Sequence, residues 1–413
     1  MSQAQTFAVA RASYRSPIID RLREAGFELQ VGRLTLRCAR NFGFCWGVDK
    51  AVTMVHEAIA ANPGRRMWLL SPIIHNPTVN RDLVARGVRF IKDPEVSGIG
   101  VGETSTPGGP ALTAAGGHSG DPFLRVDPDD LVVIPAFSAE VEDMERLAAI
   151  GCTILDTTCP WVERPHRRTE RLISEGFTLV IHGKVGHDET RATCSLIRNR
   201  EGHYVVVADL PETDLVCAVI RGTMPAEELA RGFPGAMSPR FDPAQHLERV
   251  GLINQTTMLA SESREIGNRI AAAMRERHGS DQLQSRFRDY DTICSATQEN
   301  QDAVHELLTS SGLDLMLVVG GYESSNTRNL ARVAAGRVPT FHLEDASAIS
   351  ADAIGHQRLD RPERVVTRGW LPAGKVMVGF TAGASTPDNK LGEVIQRVIE
   401  VAGERPDSLL AAG

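Results

Sequence analysis

Short apolar runs alternate along the chain with segments in which apolar residues recur every three or four positions. The runs are typical of buried β-strands, and the wider spacing is typical of helices that pack one face on a sheet. In the first such helix the recurring residues are Val48, Val52, Val55 and Ile59. Strands that alternate with helices predict parallel sheets joined by right-handed crossovers.

The pattern occurs three times. In each repeat a strand-like run ends in a cysteine that passes straight into a helical segment, at Cys45, Cys159 and Cys294. A second strand and helix follow each cysteine, with the loop between them 30, 28 and 30 residues after the cysteine, and further strands and a helix close each repeat. The loops of these second units are marked by His75, His187 and Ser324.

This repeat predicts an α/β fold of three similar domains with small, mostly parallel sheets, arranged as three lobes around a pseudo-threefold axis. Ligands of such sheets collect at the carboxyl ends of the strands, where all the marked residues lie, so the three cysteines should point at one centre. The predicted segments are an extension at 1–33, a first domain at 46–158 with an insertion at 98–121, a second at 159–293, a third at 34–45 plus 294–401, and a tail at 402–413.

Composition narrows the possible functions. The 413 residues carry a formal net charge of -7, which argues against sequence-independent binding to nucleic acid. No apolar stretch reaches the roughly 18 to 20 residues that span a bilayer, so we expect no membrane segment. Seven cysteines without a secretion signal fit a reducing compartment, and we expect a cytoplasmic protein. Residues 1–19 contain arginine but no acid, which leaves organelle import open as an alternative.

The spacing of Cys45, Cys159 and Cys294 matches no local metal motif, but their equivalent places in the repeat set them apart from ordinary core cysteines. A helix N-terminus favours the thiolate, which is the form that binds metal. Three thiolates leave one corner of a cubane cluster without a protein ligand, open to substrate. We interpret the other four cysteines as structural; they are Cys38, Cys152, Cys194 and Cys217.

Neutral hydrogen-bonding side chains occur at the other strand ends. Each of them alone is typical of a helix cap or a surface loop. Together with helix N-terminal N–H groups they predict a diphosphate site that needs no lysine or arginine. The candidates are His75, His187, Ser324, Ser325, Asn326 and Ser385.

A candidate proton donor lies two residues after His187. A Glu189 carboxyl shielded from water can stay protonated and act as a general acid, although a glutamate that opens a helix also serves simply as a dipole partner. Thr256, at another strand end, can orient substrate and relay a proton, or cap a helix.

Seven ordered motifs, FGFCWGV, IIHNPTVN, DTTCPWV, NQTTML, LMLVVGG, SSNT and GASTPD, resemble the LytB/IspH family of 4-hydroxy-3-methylbut-2-enyl diphosphate reductases, in its plant and cyanobacterial branch. The resemblance runs from about Arg37 to Val401. It implies a 4Fe-4S cluster on the three cysteines and a reductive dehydroxylation that gives isopentenyl and dimethylallyl diphosphates. It further implies that Glu189 delivers a proton through Thr256, that the six neutral residues hold the diphosphate, and that a ferredoxin or flavodoxin supplies electrons.

One position departs from the shorter members of that family. They carry a diphosphate-binding histidine in the sequence FSAHG, where this chain has Glu140. A carboxylate would repel a diphosphate, so we expect Glu140 to point away, to be protonated or to pair with a cation.

Two other functions use some of the same residues. A non-catalytic iron-sulfur or zinc redox sensor would need the cysteines but not the anion-binding loops or Glu189. A metal-independent thiol hydrolase would pair one cysteine with His75 or His187, but a nucleophile is needed once and not three times.

Overall fold

The computed structural model describes residues 14–92, 121–233, 235–310 and 312–405. Most of the predicted N-terminal extension before residue 14, all of the predicted insertion except Asp121, and the tail after residue 405 lie outside this range.

The described chain begins with a helix and two strands: α1 (Pro17–Glu24), β1 (Glu28–Val31) and β2 (Leu34–Cys38). Proline suits the first turn of α1 because it has no N–H to leave unpaired. The helix buries Ile18, Ile19 and Leu22 in the same apolar core as the C-terminal helix. Residues 17–38 are therefore an integral part of the fold.

The remaining elements fall into three successive groups. The first contains α2 (Trp46–Ala61), β3 (Met67–Leu69), α3 (Pro77–Ala85), β4 (Arg89–Phe90), a 3-10 turn (Pro122–Arg125), β5 (Leu131–Ile134), α4 (Val141–Ile150) and β6 (Thr153–Asp156). The second contains α5 (Pro160–Ser174), β7 (Thr178–His182), α6 (Asp188–Asn199), β8 (Tyr204–Val207), α7 (Leu210–Arg221), α8 (Ala226–Gly232), α9 (Pro243–His246), β9 (Val250–Asn254), α10 (Ala260–His278), a 3-10 turn (Ser280–Gln282), α11 (Leu283–Arg286) and β10 (Phe287–Asp289). The third contains α12 (Ser295–Ser310), β11 (Leu315–Val319), α13 (Ser325–Ala335), β12 (Thr340–Leu343), a 3-10 turn (Ala346–Ala348), β13 (Ala353–Gln357), β14 (Arg364–Arg368), β15 (Val376–Ala382) and α14 (Asp388–Val401).

Three sheets share one strand order. Two have four strands, ordered β4-β3-β5-β6 and β8-β7-β9-β10, and the corresponding part of the third is β12-β11-β15-β2. All pairs within these sets are parallel. The third sheet also carries β1, β13 and β14 as antiparallel strands. The predicted α/β class with small, mostly parallel sheets is confirmed.

In the order of four strands that the three sheets share, the last strand leads to the cysteine that opens the next group. Strand β6 precedes Cys159, β10 precedes Cys294, and β2 precedes Cys45 at the start of the described chain. The chain thus closes on itself, because β2 completes the sheet built mainly from the last group. The boundaries predicted for the three domains remain a prediction.

The central strands are buried on both faces, as expected for parallel strands covered by helices. Many of the buried polar side chains lie at strand ends and helix starts, and this edge of each sheet holds the candidate site. No helix in the described ranges has the length and apolar character needed to cross a membrane.

Candidate active site

A cavity of about 380 Å³ lies where helix N-termini from all three groups meet. It brings together every candidate residue from the sequence except Glu189. The candidate residues that line it are Cys45, His75, Cys159, His187, Thr256, Cys294, Ser324, Ser325, Asn326 and Ser385.

Each of the three cysteines directly precedes a helix. Cys45 and Cys159 are the N-cap residues of α2 and α5, and Cys294 is the residue before α12. First-turn N–H groups approach all three sulfurs, as in the 3.4 Å contact from the Thr297 N–H to Cys294 Sγ. These groups lower the pKa of the thiols, but burial raises it by more and brings the pKa of Cys294 to about 12. Thiolates here therefore require a nearby cation.

Gly47 fixes how closely two of these cysteines approach each other. A Cβ at Gly47 would lie 2.4 Å from Cys159 Sγ, so no larger residue fits without moving the sulfur. The first turn of α2, which follows Cys45, thus packs directly on Cys159. The two cysteines come from different groups of the chain, and glycine is what permits this contact.

The other four cysteines do not line the cavity. Cys38, Cys194 and Cys217 are buried in apolar cores, and Cys152 is half-buried beside another. All are free thiols. Their surroundings agree with the structural role expected for them.

Two histidines and a phenylalanine form an aromatic cluster on one wall. His75 stacks on Phe137 with ring centroids 4.6 Å apart, and His187 meets His75 edge-on at 4.7 Å. Burial lowers the pKa of both histidines, so both rings are neutral near pH 7. Phe137 was not singled out in the sequence; it lies three residues after the end of β5.

His187 also caps helix α6. Its Nδ1 accepts the Glu189 N–H at 3.2 Å, which leaves Nε2 as the protonated nitrogen. Nε2 is buried without a partner, as are both ring nitrogens of His75 and Oγ of Ser325. Buried polar atoms are normally hydrogen-bonded, so these four atoms point to a polar ligand of the cavity.

The remaining neutral residues already have partners. Ser324 caps α13 by accepting the Thr327 N–H, and Asn326 Oδ1 accepts the Ala384 N–H at 3.0 Å. Ser385 Oγ donates to the His75 carbonyl at 3.4 Å. The Ser385 contact joins a third-group loop to the first group, and the three contacts together leave fewer free atoms than the sequence suggested.

Thr297 is a buried site residue that the sequence analysis missed. Its Oγ1 lies 3.1 Å from Cys294 Sγ and accepts a hydrogen bond from Asn326 Nδ2 at 3.3 Å. It therefore links a cysteine to a candidate diphosphate ligand. Its place three residues after Cys294 was the available signal, since first-turn hydroxyls often face the group bound at a helix start.

Glu189 lies behind the cavity wall, buried in α6. Thr256 contacts both of its oxygens: the Thr256 N–H donates to Oε1 at 2.7 Å, and the hydroxyl lies 2.8 Å from Oε2. Burial raises the pKa of Glu189 to about 7, against these hydrogen bonds, which lower it. The Thr256 carbonyl accepts the Cys294 N–H at 3.1 Å, so the carboxyl, the hydroxyl and a cysteine are held in sequence.

Glu140 pairs with cations, which is one of the three outcomes expected for it. It forms ion pairs with Lys92, Arg191 and Arg198. Glu140 does not line the cavity. The pairs join the start of α4 to α6, the helix that carries His187 and Glu189.

Comparisons with known proteins show the family to which the chain is similar. Residues 36–399 match the family model described as LytB protein. A 4-hydroxy-3-methylbut-2-enyl diphosphate reductase of Gloeobacter violaceus is 42% identical over 395 residues, covering 95% of this chain and 89% of the relative. The reductase of Synechococcus sp. (strain RCC307) is also 42% identical, covering 94% and 89%. The solved E-1-hydroxy-2-methyl-but-2-enyl-4-diphosphate reductase of Plasmodium falciparum is 17% identical with a TM-score of 0.60, covering 88% and 87%, and it supports the fold alone.

Proposed function

The chain belongs to the LytB family, and we propose that its central cavity carries out the family's reaction on a 4Fe-4S cluster held by Cys45, Cys159 and Cys294. The reaction is the reductive dehydroxylation of 4-hydroxy-3-methylbut-2-enyl diphosphate to isopentenyl and dimethylallyl diphosphates, the last step of the methylerythritol phosphate route. The redox-sensor alternative finds no support in these comparisons.

The three thiols fit an iron-sulfur cluster. They line one cavity, accept first-turn N–H groups, and need a cation to ionise. Among the described residues no three Cys, His, Asp or Glu side chains are grouped closely enough to hold a single metal ion. Ligands spread around a cavity suit a larger group with several irons. When bound, this cluster supplies electrons and, at the iron without a cysteine, a Lewis acid for the substrate hydroxyl.

The diphosphate fits the wall that carries the unpartnered atoms. His187 Nε2, one nitrogen of His75 and Ser325 Oγ can each donate to phosphate oxygens. The helices that begin at Pro77, Asp188 and Ser325 start beside cavity-lining residues, which places the positive ends of their dipoles at the edge of the cavity. We assign Ser324, Asn326 and Ser385 to this subsite as well, with Asn326 and Ser385 also positioning its loops.

The hydrogen bonds of Glu189 define the route of a proton. Oε1 is occupied by the Thr256 N–H, so the acid proton belongs on Oε2, which faces the Thr256 hydroxyl. That hydroxyl lines the cavity and can pass a proton inward while it receives one from Glu189. With a pKa of about 7, Glu189 holds a proton in a large fraction of molecules at neutral pH.

The overall reaction consumes two electrons and two protons. The C–O bond of the allylic alcohol breaks, its hydroxyl leaves as water with one proton, and carbon takes the second. Glu189 and Thr256 supply protons, while the diphosphate wall holds the substrate tail. The electrons come from a protein donor, which we infer to be a ferredoxin or flavodoxin, and we infer a cytoplasmic location from the free cysteines.

The convergence of three cysteines and four unpartnered polar atoms on one cavity carries this proposal. Its test is turnover of the diphosphate by cluster-loaded protein under anaerobic conditions, with reduced methyl viologen as the electron source. Wild type should form both five-carbon products. Glu189→Gln should lose activity by roughly 10² to 10⁴-fold, the usual contribution of a general acid, with unchanged iron content. Full activity in Glu189→Gln would contradict the proton route, and protein that binds no iron would contradict the cluster.

A further inference from the structure

A groove of about 490 Å³ lies on the outer surface beside two of the three cysteines. Its residues come from α5, which starts directly after Cys159, and from the segment that ends at Ile293, directly before Cys294. We call it the arginine groove, because four exposed arginines line it. They are Arg164, Arg167, Arg168 and Arg171.

The charge of the groove contrasts with that of the chain. Four arginines and one acid, Asp291, line the groove, a balance of +3, whereas the whole chain carries -7. Arg167 and Arg171 have carboxylate partners. In the part of the chain that the structure describes, Arg164 and Arg168 form no ion pair; they lie over the rings of Trp161 at 3.9 Å and Tyr290 at 4.8 Å. Two positive charges are thus held in place and free for an outside anion.

The groove adjoins the cavity. Trp161 lines both, and it is only two residues from Cys159. Trp46, the residue after Cys45, also lines the cavity and is 63% exposed, with Lys50 placed 5.5 Å from its ring. The outer surface near the cysteines therefore combines aromatic rings with cations. Tryptophan, tyrosine and arginine are enriched among the residues that contribute most of the binding energy at protein interfaces.

We propose that the arginine groove is the docking surface for an acidic one-electron carrier protein, an inference that rests on the proposed function. Each docking event passes one electron inward and leaves the carrier oxidised, so one turnover uses two reduced carriers. Complexes of this kind are small and short-lived, and charge complementarity speeds their formation rather than making them tight. The arginine groove meets these needs. It lies beside two of the cysteines, and aromatic rings hold Arg164 and Arg168, which form no ion pair with the described residues.

The test compares two electron sources for the same cluster-loaded enzyme. The variant Arg164→Glu/Arg168→Glu reverses the two unpaired charges. With a reduced acidic plant-type ferredoxin as the probe, its kcat/KM for the carrier should fall by about tenfold or more at low salt, within the range of electrostatic steering. Reduced methyl viologen is a small cation that needs no docking surface, so turnover with it should stay at the wild-type level or rise.

Two further variants isolate the location and the charge. The matched control is Arg275→Glu/Arg337→Glu, which makes the same charge change at exposed arginines that form no ion pair within the described ranges. Arg275 lies in the last turn of α10, and Arg337 follows the end of α13. Both helices start near the cavity, so these arginines lie at the helix ends away from it. The control should keep its ferredoxin rate, and Arg164→Lys/Arg168→Lys should largely restore it. Added salt should slow the wild type more than the reversed variant, because salt screens surface charges.

The outcomes separate the two proposals. No viologen turnover in wild type contradicts the proposed function itself. Viologen turnover with equal ferredoxin rates in the reversed variant and wild type overturns only the docking surface. An equal loss in the control overturns it too, since net charge would then suffice. If RNA instead binds wild type and displaces ferredoxin from this groove, the assigned partner is wrong.

Discussion

Replacing Thr256 with valine removes the hydroxyl that lies 2.8 Å from Glu189 Oε2 and keeps the N–H that donates to Oε1. The carboxyl group thus loses one of its two hydrogen bonds and, among the residues that the structure describes, the side chain that connects it to the cavity. Both bonds lower the pKa of Glu189, which burial holds at about 7, so the variant should have a higher pKa.

The size of the change follows from the lost bond. A hydrogen bond to a charged group contributes about 1.5 to 3 kcal/mol, and about 1.4 kcal/mol corresponds to one pH unit. The midpoint for Glu189 should therefore rise from about 7 by about one to two pH units in Thr256→Val. Loss of the relay should also lower the plateau rate by roughly 10² to 10⁴-fold.

The assay is kcat/KM for the diphosphate against pH, with reduced methyl viologen and iron content measured in each sample. Because the acid form donates, the wild-type rate should be flat below about pH 7 and fall tenfold per unit above it. Thr256→Ser, which restores a hydroxyl, should return both plateau and midpoint. A Thr256→Val enzyme with the wild-type plateau and the wild-type midpoint would refute the relay.

Three more predictions test the surroundings of the site. Gly47→Ala should lower the iron bound per chain, because its Cβ would meet Cys159 Sγ at 2.4 Å. The control Gly312→Ala should bind iron normally, because a Cβ added there has no described atom within 4 Å apart from those of its chain neighbours. Thr297→Val should lower the reduction potential measured by redox titration, since hydrogen bonds to sulfur favour the reduced cluster. Thr297→Ser should keep the wild-type potential. An unchanged potential in the valine variant would argue against a hydroxyl bond to Cys294. In protein without a cluster, Glu189 should make stability depend on pH. Its pKa rises from 4.5 unfolded to about 7 folded, so its contribution is complete below pH 4.5 and is lost as pH rises through about 7. Urea denaturation should show this loss in wild type and not in Glu189→Gln.

The repeat was predictable because it appears in the order and spacing of strands. Strands β3, β7 and β11 are buried apolar runs, and the polar residues after them mark the sheet edge where ligands collect. A strand order shared by three sheets follows from that pattern. The antiparallel strands were harder to predict, because β1 and β14 are partly exposed edge strands with no continuous apolar run.

Contacts between distant segments escaped prediction for a different reason. Thr297 is recognisable only once Asn326, 29 residues later, is seen to donate to it. Phe137 matters because it packs on His75 and His187, which no local pattern reveals. The cations that pair with Glu140 likewise come from separate elements, at Lys92 and Arg191. Side-chain packing across the three groups decides these roles.

The three repeats carry different residues at some equivalent positions, and these differences make the site asymmetric. The loop markers His75, His187 and Ser324 occupy equivalent places, and two residues further on stand Pro77, Glu189 and Asn326. Only one of these three is an acid, so the proton route that we propose starts from one of the three sides. Near-threefold placement suits a ligand set that surrounds a cluster, and in the proposed mechanism the single carboxyl, held behind Thr256 at a pKa of about 7, sets the direction from which the substrate is protonated.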